Sequence, residues 1–188
     1  KNATFLRQML HESVEEVYAN RNDVIFCTSE ACSRMLFVNS KMDYALGQVK
    51  RITAAETERS TRTLKSAFGF EVDAQAPDSI FDTPAWLSEP VLWTFWVNCG
   101  MLTALEDACM YALQAKAFLK QIVFYKEVRL YATVYAKEFI QHLHELSDGA
   151  LSDLPVCVDV HQVWDNCNQK VQRMLSIRSA SRASDVNP

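Results

Sequence analysis

Between Pro90 and Leu146 the chain holds one glycine, Gly100, and no further proline. Apolar residues recur there at steps of three and four, through Leu92, Phe95, Trp96, Cys99, Leu102, Leu105, Cys109 and Leu113, then Leu119, Ile122, Leu130, Val134, Phe139, Leu143 and Leu146. That spacing predicts a single buried stripe on a helix. Ser88-Glu89-Pro90 reads as its start, because serine caps orphan N–H groups and proline fits the first turn. Gly149 reads as its stop in the left-handed cap position. An unbroken helix over about 90–147 would be roughly 85 Å long at ~1.5 Å per residue. Gly100 is the place for a kink, since glycine costs about 1 kcal/mol in a helix interior.

The remaining segments are read as shorter partners for this helix. A first helix is expected from Asn2 to about Tyr18, with Leu6, Met9, Leu10, Val14 and Val17 inward. A second is expected from Ser29 to about Phe68. Its first half is apolar and its second half, Arg51 to Lys65, is held by charge pairs such as Glu58 with Arg62. Residues 69–83 lack periodicity and read as a long acidic loop. Ser152 or Asp153 is expected to cap a last helix, which runs to about Leu175 on Val160, Val163, Trp164, Cys167, Val171 and Met174. From Ser176 the chain is rich in Ser and Arg and reads as disordered. The expected fold class is therefore all-α, an elongated bundle of four to five helices, with one domain over 1–175 and a flexible tail over 176–188.

Composition supports few turns: only 4 glycines and 5 prolines stand among 188 residues, 49% of them hydrophobic. The formal net charge of -4 gives no pull toward nucleic acid, and none is expected as a partner. Pro90 to Leu105 carries no charged residue but is too short to span a bilayer, so membrane contact would be confined to the surface of 86–105. The chain begins at Lys1 and is read as a processed form. No phosphate loop, nucleophile elbow or His-Glu-x-x-His motif occurs. No catalytic, cofactor or metal residues are expected. The acid and histidine pairs on helix faces, such as His161 with Asp165, match ordinary solvated surfaces.

Cys99 and Cys109 are nine residues apart, as are Cys157 and Cys167. This spacing resembles the twin Cys-x9-Cys helical hairpins of the mitochondrial intermembrane space, which implies two helices stapled by disulfides. The long spacer between Met110 and Val156 departs from that pattern. Buried free thiols are the reading preferred here, and they point to an intracellular location, cytoplasmic or mitochondrial.

The long helix outruns its neighbours, which leaves part of its stripe without internal cover. A non-catalytic scaffold subunit of a larger assembly fits that mismatch. Docking to a protein partner, or self-association, would use Trp86, Trp93, Phe95, Trp96 and Tyr131 together with Arg51, Arg59, Arg62 and Lys65. The alternative is a helical-bundle carrier for a lipid or other apolar molecule, held among the same tryptophans. A helical enzyme without a recognisable motif stands third.

Overall fold

The computed structural model describes residues 2–50, 71–73, 79–81, 84–146, 150–155 and 158–184. The fold is mixed α and β, not all-α. The elements run α1 (Asn2–Ser13), β1 (Val14–Ala19), β2 (Val24–Phe26), β3 (Arg34–Val38), β4 (Met42–Leu46) and β5 (Gln48–Lys50). After these come β6 (Glu71–Asp73), β7 (Ser79–Phe81), β8 (Ala85–Leu87), a 3-10 turn at Glu89–Leu92, β9 (Gly100–Ala104) and β10 (Ala108–Gln114). The chain then turns helical in α2 (Ala115–Phe124), α3 (Lys126–Glu145) and α4 (Val160–Ser184).

The strand pairing has a simple logic. β1 pairs with β10, β2 with β9, β3 with β8, β4 with β7 and β5 with β6, all antiparallel. The strands thus pair as one long two-stranded ribbon, coiled so that β1–β4 and β7–β10 alternate between two four-stranded sheets, while β5 and β6 form a two-stranded sheet of their own. The sheet orders are β1-β10-β3-β8 and β2-β9-β4-β7. Further antiparallel pairing of β10 with β3, and of β9 with β4, closes each sheet. This is a roll of the kind that limits exposed edges by facing two sheets together.

The local reason for strands is an alternation that coexists with the helical spacing. In β9, Gly100, Leu102 and Ala104 are buried while Met101 is exposed; in β10, Ala108, Met110 and Ala112 are buried while Cys109 and Tyr111 are exposed. A period of two places these residues between the sheets, where Phe26, Leu36, Val38, Met42, Tyr44 and Leu87 meet them. The helix expected over 90–147 is therefore a 3-10 turn, two strands and two helices. The first helix ends at Ser13, where Val14–Ala19 pairs with β10. The described part of the expected second helix is β3, β4 and β5. Arg51, Arg59, Arg62 and Lys65 lie outside the described residues.

The helices stack on one side of the roll. Met35 and Leu113 of the sheet and Ala115 at the start of α2 meet Val91 and Leu92 of the turn, Trp96 of the loop that follows it, Phe139 and Leu143 of α3, and Val158 and Val163. Tyr125 sits in extended backbone and separates α2 from α3. Its hydroxyl donates to Gln8 Oε1 at 2.8 Å and its ring meets Phe5 edge-on at 4.9 Å, which ties α1 to that junction. Val134, Cys167 and Val171 are the buried contacts between α3 and α4. Lys170 on α4 bonds the carboxylate of Glu138, a residue only 6% exposed on α3. Asp159 caps α4, with its Oδ1 accepting the N–H groups of His161 and Gln162 at 3.1 Å each.

The cysteine spacing does not staple two helices: Cys109 is in β10 and Cys99 immediately precedes β9, while Cys157 lies outside the described residues. Cys27 and Cys109 are exposed free thiols and Cys167 is a buried one. Burial, then the nearby Glu138 charge, pushes the Cys167 thiol above its usual pKa. Iodoacetamide at neutral pH is therefore expected to alkylate Cys27 and Cys109 in the native protein and Cys167 only after unfolding. Peptide mass mapping of Cys167 alkylated in the folded chain would contradict this packing.

Candidate functional site

One stretch of chain, Ser88 to Gly100, carries polar centres on two sides. It connects β8 to β9, and the Trp-rich run that reads as the start of a helix is here a compact loop. Ser88 does not cap a helix. Its backbone is left-handed at φ 61° and its hydroxyl makes no cap bond. That conformation is uncommon for a serine and is held from outside: its N–H donates to the Asp153 carbonyl at 2.7 Å and its Oγ donates to Asp153 Oδ1 at 3.2 Å.

Asp153 is the first centre. It is 1% exposed, and five donors converge on its carboxylate. Oδ1 accepts from Trp96 Nε1 at 2.7 Å and from Ser88 Oγ; Oδ2 accepts from Cys99 N–H at 2.8 Å, Tyr44 OH at 2.9 Å and Gly100 N–H at 3.0 Å. Burial pushes the Asp153 carboxyl above the usual range, and the indole, phenol and backbone donors pull it back. Burial, followed by the carboxylate beside it, raises the Tyr44 phenol, so Tyr44 stays a donor.

The approach of Tyr44 explains Gly100. A Cβ there would stand 2.5 Å from Tyr44 Cζ and 2.6 Å from the Ala45 carbonyl oxygen. Gly100 is thus a close-approach glycine between paired strands, not a helix kink.

Glu89 is the second centre, on the opposite side of the loop. Its Oε1 accepts from Tyr135 OH at 2.9 Å and Trp93 Nε1 at 3.4 Å, and its Oε2 accepts from Trp86 Nε1 at 3.2 Å. Burial, then the Glu89 charge, raises the Tyr135 phenol. Glu89 stands in the wall of an open cleft of about 670 Å³ bounded by α1, the 3-10 turn, α2, α3 and α4. Phe5, Trp93, Phe118, Tyr131, Tyr135 and Trp164 supply its aromatic lining. Trp93 meets Phe118 edge-on at 5.7 Å and Tyr135 at 5.1 Å, and Tyr131 stacks on Trp164 at 6.3 Å.

Of the residues singled out in the sequence, Trp93 and Tyr131 line this cleft and Trp86 reaches it through Glu89. Trp96 is buried against Asp153, and Phe95 is 79% exposed. The stretch 86–105 is a strand end, a loop and a strand, not an apolar helix lying along a membrane. Among the described residues no helix is long and apolar enough to cross one. The length mismatch that favoured a scaffold disappears with the long helix. Sequence reasoning missed Glu89, Tyr135 and Asp153. Glu89 follows Trp86 by three residues and precedes Trp93 by four, a local signal that was present; Asp153 looked like a helix cap.

A scan against protein-family models and a search of curated proteins find no match. Solved structures are similar in architecture. The N-terminal domain of a transcriptional regulator from Streptomyces coelicolor A3(2) has TM-score 0.46 and 18% identity, over 74% of this chain and 83% of that one. The sensor domain of the transcriptional regulator DNR from Pseudomonas aeruginosa has TM-score 0.45 and 12% identity, over 79% and 85%. A putative cyclic nucleotide binding protein from Ruegeria pomeroyi has TM-score 0.45 and 12% identity, over 77% of this chain and 56% of that one. At these scores the likeness is a partial one of architecture, and no ligand follows from it.

Proposed function

We propose that this chain is a binding module for a small molecule, taken into the aromatic cleft beside Glu89 and read out through the α3–α4 pair. The observation that carries the proposal is a carboxylate, fixed by three donors, in the wall of a cleft otherwise lined mainly by rings. The volume of about 670 Å³ suits a small ligand. A carboxylate has about four acceptor positions. Three are used, which leaves room for one strong donor. The fitting ligand is a flat ring bearing a single ammonium or N–H group, its charge also favoured by the faces of Trp93, Tyr131, Tyr135 and Trp164. Tyr131 is on α3 and Trp164 on α4, so a ring between them and the 3-10 turn would alter how the two helices meet.

Aromatic amines and nucleobases share that chemistry, and phosphate distinguishes them. None of the described residues lining the cleft is Lys or Arg, which favours an aromatic amine over a nucleotide. Titration with phenethylammonium, adenosine and adenosine 3′,5′-cyclic monophosphate, followed by tryptophan fluorescence, separates the three. Phenethylammonium is expected to bind, and Glu89→Gln to weaken it by about 10–100-fold, as for loss of a hydrogen bond to a charged group. No binding by any of the three at millimolar concentration, or binding that ignores Glu89→Gln, would defeat the proposal. Binding of the cyclic nucleotide alone would replace it with a nucleotide-binding one.

A further inference from the structure

We propose that the five donors around Asp153 form an oxyanion cradle, which the chain fills with its own carboxylate as a tethered ligand. The cradle and its occupant come from different parts of the chain. Tyr44 belongs to β4, Ser88, Trp96 and Cys99 to the loop, and Gly100 to the start of β9. Asp153 arrives from the connection between α3 and α4. The donors are of mixed kind: two successive backbone N–H groups, one indole, one phenol and one serine hydroxyl. Successive backbone N–H groups aimed at one point are a general device for holding an anion. Among the described residues no Lys, Arg or His side chain bonds this carboxylate, so the charge is held by oriented dipoles, an arrangement equally suited to a free carboxylate or phosphate oxygen.

The occupant is also a latch. Ser88 donates its N–H to the Asp153 carbonyl, and Asp153 donates its own N–H to Tyr44 OH at 3.1 Å, so backbone and side chain of the segment are both gripped. Ser88 and Glu89 are adjacent, and the loop that grips Asp153 on one side presents Glu89 to the cleft on the other. Withdrawal of Asp153 would release the α3–α4 connection and free the loop together. This proposal does not depend on what the cleft binds.

The test is chemical replacement of the carboxylate. Asp153→Ala empties the cradle, and its thermal midpoint is followed with added sodium formate or inorganic phosphate against sodium chloride at equal ionic strength and pH. A saturable rise of several degrees with formate or phosphate, absent with chloride and absent in the unsubstituted protein, is the expected result. Asp153→Asn, whose side chain still fills the space, is expected not to respond. Should Asp153→Ala not fold in chloride, refolding yield from urea is read instead, with recovery expected in formate. The proposal is overturned if neither anion raises the midpoint or the yield above chloride. It is also overturned if the unsubstituted protein or Asp153→Asn responds as strongly as Asp153→Ala.

Discussion

Replacing Asp153 by alanine is expected to lower folding stability by about 4 kcal/mol in plain buffer, measured by urea unfolding. Its removal leaves the Gly100 N–H, the Trp96 indole and the Tyr44 phenol without this acceptor in a buried place. Each unsatisfied donor costs roughly 1–3 kcal/mol, and partial relaxation and water entry reduce the sum. Breaking one side of a buried charged cluster has a similar scale, about 3–5 kcal/mol. Domains of this size have only about 5–15 kcal/mol in total. Asp153→Asn should lose less, since one oxygen acceptor remains, although its amide N–H groups meet donors. A loss below about 1 kcal/mol for Asp153→Ala would mean that the five-donor cluster is not formed in solution.

The second large effect is expected at Gly100. Gly100→Ala should destabilise by about 3 kcal/mol, the upper end of what overpacking costs. The Tyr44 ring could turn away from the new methyl group, but only by pulling its hydroxyl off Asp153. The Ala45 carbonyl cannot retreat without disturbing the ladder in which Ala45 opposes Met101 and Leu46 opposes Gly100. The two substitutions act on one network, so the double variant should lose less than the two single losses together, by about 0.5–3 kcal/mol. Calorimetry on the four proteins measures this. Full additivity would separate Gly100 from the Asp153 cluster.

Much of the helical part was legible. The stripe Val134, Phe139 and Leu143 is buried on α3, and Val163, Cys167 and Val171 are buried on α4, as their spacing indicates. Trp164 shares the spacing of α4 yet is 48% exposed, because it walls a cleft rather than a core. The roll was not legible for a physical reason. A strand of three to seven residues has a weak local signature, and its partner here lies far along the chain: Val14 opposes Leu113, and Leu36 opposes Leu87. Leu102, Leu105, Cys109 and Leu113 fit a helix period while Leu102, Ala104, Ala108, Met110 and Ala112 fit a period of two. The alternating set won because both sheets bury it. Of the site, the aromatic residues Trp93 and Tyr131 stood out for their type. Glu89 and Asp153 did not, since a carboxylate declares its role only through donors that the fold brings to it.

The coiled ribbon also sets an order on synthesis. Its innermost pair, β5 with β6, can form early, whereas β1 stays without a partner until Ala108–Gln114 has emerged. A nascent chain that ends before β10 therefore carries an incomplete roll, with β1 unpaired and strand edges open, the condition under which chains pair wrongly with one another. Even a chain stopped at Leu146, with every strand complete, would present the Tyr44, Trp96, Cys99 and Gly100 donors to an empty space. The shortest fragment able to close the roll properly must reach Asp153, so the last residue to lock the β half is delivered by the helical half.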